Sequence, residues 1–82
     1  MKTATKRAML EAMLNSQDLG KKGVDNVLYC FDNDISLPQN IDPLTQFIFN
    51  SVMAEDDIDG LKTTLNYAIH QITGAKEVID NF

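Results

Sequence analysis

Ile58-Asp59-Gly60-Leu61-Lys62-Thr63-Thr64-Leu65-Asn66-Tyr67-Ala68-Ile69-His70-Gln71-Ile72 is the stretch whose periodicity decides the fold class. At ~100° per residue, Ile58, Leu61, Leu65, Ala68, Ile69 and Ile72 fall on one stripe and the polar residues on the other side. That is an amphipathic helix with a core face. Glu55-Asp56-Asp57 stand just before it, where acids complement the positive end of the helix dipole. Gly74 is a stop signal or a tolerated interior glycine. Ala75 and Ile79 keep the phase of the stripe, so the pattern allows helix as far as Asn81.

Toward the N-terminus lies a third helix with a sharp start signal. Asp42 can accept from free backbone amides as N-cap, and Pro43 suits the first helical position, where a missing N–H costs nothing. Leu44, Phe47, Ile48 and Val52 then share a face, while Phe49 and Met53 lie i, i+4 off it. Two readings follow. Either Phe49 and Met53 form an exposed contact patch, or the helix is central and buried on both sides. The segment Asp32–Ile41 is the one long loop, rich in turn formers, with Ile35, Leu37 and Ile41 expected to tack it to the core.

A second helix is expected over Val24–Phe31, where Val24, Val27, Leu28 and Phe31 follow the i, i+3, i+4, i+7 pattern and Tyr29 points to the polar side. Lys21-Lys22-Gly23 reads as its connector. The first helix is expected over Thr3–Ser16 and to end near Gly20. Met9, Leu10, Met13 and Leu14, widened by Ala4, Ala8 and Ala12, cover more than one core face needs. The helix is therefore packed on two sides, or one side meets a partner or a second copy of the chain. The whole reads as an all-α domain over residues 1–82, a bundle or orthogonal array of four helices, or five if the last is divided, with no β-sheet. Eighty-two residues bury only about 60–65% of their unfolded surface, so stability should be modest. The 44% apolar content is nonetheless enough for a folded core.

Charge is unevenly distributed. Residues 1–22 hold five of the seven basic residues, Lys2, Lys6, Arg7, Lys21 and Lys22, against Glu11 and Asp18, a formal +3. Residues 23–82 hold Lys62 and Lys76 against ten acids, a formal -8, giving the net -5 of the chain. Such a dipolar chain can pair its ends, stack head to tail, or meet a partner at one pole. No apolar run of signal-peptide length follows the basic start, because Glu11 interrupts it, and no stretch approaches the ~18 apolar residues of a spanning helix. Cys30 is the sole cysteine and cannot form an internal disulfide; a lone thiol suits a reducing cytoplasm.

Nucleophilic catalysis needs a nucleophile, a base and an orienting group, and nothing in the sequence brings Cys30 and His70 together. One Cys and one His are too few for zinc. Glu55-Asp56-Asp57-Ile58-Asp59-Gly60 superficially opens like a calcium loop, but its twelfth position is Asn66, and Asp32-Asn33-Asp34 has Leu37 where the sixth-position glycine belongs. Ser36 in Asp34-Ile35-Ser36-Leu37 departs from a phosphopantetheine attachment site through the inserted Ile35 and through Pro38, which stops a helix running on from it. The expected second helix exposes Asp25, Asn26, Tyr29 and Asp32, which is no recognition helix for nucleic acid.

The sequence therefore predicts a protein that is not an enzyme and needs no metal or other cofactor. The function expected first is that of a cytoplasmic binding protein that modulates or inhibits another protein. Short chains without active-site chemistry are often regulators from phage or mobile elements, a prior about the class of chain. The expected contact residues are Phe49, Met53, Tyr29, Met9 and Met13, with Lys6, Arg7, Lys21 and Lys22 orienting the encounter. Self-association through the first or third helix is the accompanying expectation, and direct nucleic-acid binding is not expected. The second class is an acidic mimic of nucleic acid that presents Glu55, Asp56, Asp57 and Asp59 to a basic protein. A small carrier or enzyme domain comes last.

Overall fold

The computed structural model describes residues 4–72 and 74–82, and among these it contains five helices and no strand. They are α1 (Ala4–Ser16), α2 (Gly20–Asp32), α3 (Pro43–Ala54), α4 (Ile58–Ile69) and α5 (Ala75–Asp80). Thr3, the expected start of the first helix, and Lys2 lie outside the described residues. α1 packs against α2, α3 and α5; α3 packs against α1, α2 and α4; α5 also touches α4. The fold is the expected all-α bundle with the last helix divided.

The broad apolar arc of α1 now has its explanation. Met9, Leu10, Met13 and Leu14 are all fully buried, because three other helices surround α1. Ala4 and Ala8, expected to widen that arc, are instead exposed. α3 is covered on both flanks: Phe49 is only 3% exposed and Met53 is half-buried. The exposed Phe49–Met53 patch is thus corrected, and the reading of α3 as a central helix holds. The apolar faces of α1 and α3, on which self-association was expected, lie inside the domain.

α2 begins earlier than its apolar pattern. Gly20 has φ +76°, and this left-handed residue reverses the chain so sharply that Lys21-Lys22-Gly23 becomes the first turn of α2 and not a connector. Gly23 packs closely there: a Cβ would come within 3.2 Å of the Leu19 Cβ, so Leu19 would have to give by a few tenths of an ångström. At the other end Asp34 has φ +59°. The Asp34 amide donates to the Phe31 carbonyl at 3.3 Å and the Ile35 amide to the Cys30 carbonyl at 2.9 Å. This is the Schellman arrangement, which satisfies carbonyls left over at a helix end. Of the three residues expected to hold the loop, Leu37 is buried and Ile41 packs against the core, but Ile35 is 45% exposed. Its place in the cap holds its backbone while its side chain stays largely out of the core.

α3 starts as its sequence dictates. The Thr45 amide donates to Asp42 Oδ2 at 3.0 Å, and the Thr45 hydroxyl donates to Asp42 Oδ1 at 2.8 Å. α4 is capped by Asp57, whose Oδ1 accepts from the Gly60 amide at 2.6 Å. It ends at Ile69; Gly74, with φ +84°, then turns the chain into α5. Ile72, Ala75 and Ile79 still reach the core, so the stripe survives although the helix does not. Leu61, Leu65 and Ala68 are fully buried at its centre. Burying one such leucine contributes about 1.5–3 kcal/mol.

Candidate functional site

The basic residues of the first segment do not form the expected surface patch. Lys6 is 2% exposed and its ammonium donates to the backbone carbonyl of Glu55, at the end of α3. Arg7 forms a two-pronged pair with Asp32 of α2, Nε to Oδ1 at 2.8 Å and an Nη to Oδ2 at 2.9 Å, and one Nη lies 3.8 Å from Glu11. These bonds, donated to the Asp32 carboxylate, hold the Arg7 pKa above its ordinary value. Lys21 pairs with Asp25 at 2.8 Å, one helical turn on, which likewise raises the lysine pKa. Lys22 is exposed. The orienting patch of Lys6, Arg7, Lys21 and Lys22 is thus corrected: one is interior, and two are engaged with acids of α2. Exposed pairs of this kind contribute little to stability.

The buried position of Lys6 was within reach of the sequence. With Met9 at zero on the helical wheel, Leu14 falls at ~140° and Lys6 at ~60°, inside the apolar arc. A long side chain can bury its methylene stem while its head finds an acceptor. What the sequence does not supply is the acceptor, 49 residues away.

The acids of the alternative reading are in part local fittings. Asp57 caps α4, and Glu55 Oε2 accepts from the Thr64 hydroxyl at 3.1 Å. A Cβ at Gly60 would lie 3.3 Å from both carboxylates, so the glycine gives them room. Asp56 and Asp59 are exposed, Asp59 within the first turn of α4.

Of the expected contact residues, Met9, Met13 and Phe49 are interior and Tyr29 is the apolar-bodied side chain that stands out, 61% exposed. It borders an open groove of about 350 Å³ between α2 and the 33–42 loop. Val27, half-buried Cys30, Leu37, Pro38 and Ile41 form the apolar walls, and Asn26 and Asn40 supply amides. Exposed Ile35 is tied to this wall by its bond to the Cys30 carbonyl. A wider hollow of about 430 Å³ at the α1–α2 junction is lined chiefly by polar side chains, among them Glu11, Asn15, Gln17, Asp18 and the Lys21–Asp25 pair, with Val24 as its apolar side chain. A shallower concavity of about 240 Å³ joins Pro43, Leu44, Phe47 and Tyr67, whose two aromatic rings meet edge to face at 5.3 Å. Tyr67 is 67% exposed, and the sequence reading passed over it because it lies opposite the stripe of α4.

Cys30 is a wall residue of the groove, and His70 is exposed at the C-terminal end of α4. Among the described residues no group of three or more His, Cys, Asp or Glu side chains is placed to hold a metal ion. No helix of the described residues is long and apolar enough to cross a membrane. Comparison of the chain with protein-family models, with curated proteins and with solved structures finds no match.

Proposed function

We propose that this chain is a non-catalytic binding module that modulates a partner protein through the groove between α2 and the 33–42 loop. The observation that carries the reading is Tyr29, 61% exposed at the rim of an apolar concavity walled by Val27, Cys30, Leu37, Pro38 and Ile41, with the exposed Ile35 in the same 33–42 loop. Most large apolar side chains among the described residues are folded away, and Tyr29 and Ile35 are two of the four that are exposed, with Tyr67 and Phe82. Tyrosine is favoured at contact surfaces because its ring supplies area and its hydroxyl a hydrogen bond. The lone thiol Cys30 accords with a reducing cytoplasm as the place of action.

Acidic mimicry is the second reading, supported by a stretch from Gly23 to Leu61 that contains eight acids and no basic residue. The two readings separate on one experiment. A photo-crosslinking residue is placed at position 29 or at position 56 in the native host, and the captured protein is then titrated against variants at two salt concentrations. The groove reading expects capture at 29 and loss of binding in Tyr29→Ala/Ile35→Ser. Mimicry expects capture at 56, loss in Asp56→Asn/Asp59→Asn and steep weakening with salt. Binding that survives Tyr29→Ala/Ile35→Ser and fails in the acidic variant removes the groove reading.

A further inference from the structure

We draw no further inference here: the strongest candidate, the concavity that Pro43, Leu44 and Phe47 of α3 form with the exposed Tyr67 of α4, is an apolar face, and nothing in the structure shows what covers it.

Discussion

Lys6 offers the most discriminating perturbation of this fold. It sits among Met9, Leu10 and Met13 on the inner face of α1, 2% exposed, and its ammonium donates to the Glu55 carbonyl where the α3–α4 connector begins. Lys6→Ala removes two things. The buried methylene stem is lost, at ~0.8 kcal/mol for each methylene group, and the Glu55 carbonyl loses a charge-assisted donor, at about 1.5–3 kcal/mol. Relief from holding an ammonium away from water offsets part of this, so the expected net loss is about 2–4 kcal/mol. Lys6→Met keeps most of the stem volume and loses only the donor, so it should cost about 1–2 kcal/mol. A domain of this size has roughly 4–12 kcal/mol in total, and each kcal/mol moves the melting temperature by about 4–8 °C. Lys6→Ala should therefore melt at least ~8 °C below the wild type, and Lys6→Met should fall between the two. Thermal and urea unfolding followed by circular dichroism measures both, with exposed Lys22→Ala as a control expected to stay within about 0.5 kcal/mol. If Lys6→Ala melts with the wild type, the ammonium is in water and the link between α1 and the α3–α4 connector does not exist.

Leu65, fully buried at the centre of α4, should cost about 2–5 kcal/mol as Leu65→Ala, read from urea midpoints; an unchanged midpoint would remove α4 from the core. Asp42→Ala should destabilise by about 0.5–2 kcal/mol through loss of the α3 cap, with Asp42→Asn milder because an amide oxygen still accepts; equal losses would point away from capping. Cys30→Ser and His70→Asn should each keep partner binding within about threefold once the partner is captured, and abolition by either folded variant would return catalysis or metal binding to consideration. Pairing with Asp25 and Asp80 raises the pKa values of Lys21 and Lys76 above their ordinary 10.5, so whatever stability they contribute is complete below that pH and lost only as pH climbs through the raised values. The melting-temperature difference between wild type and Lys21→Gln/Lys76→Gln should then stay constant between about pH 6 and 9.

What the sequence determined by itself was local. The stripe from Ile58 to Ile72, the Asp42-Pro43 start and the outward side of Tyr29 follow from helical period and from backbone amides that need an acceptor, and neighbours only a few residues away settle them. How many neighbours a helix has is not local. Met9, Met13 and Phe49 were readable either as a contact surface or as a second buried flank, because a helical wheel orders the faces of one helix and says nothing of what covers them. Tertiary structure placed three helices around α1 and three around α3, and both flanks became core. The same holds for charge. Lys6 could be seen inside the apolar arc, but a buried ammonium is tolerable only with an acceptor in reach, and that acceptor, the Glu55 carbonyl, arrives only when α1 meets the far end of α3. The groove beside Tyr29 was likewise beyond the sequence. Its walls come from α2 and from a loop folded back by Asp34 in a left-handed conformation, and a concavity exists only where two segments meet without filling the space between them.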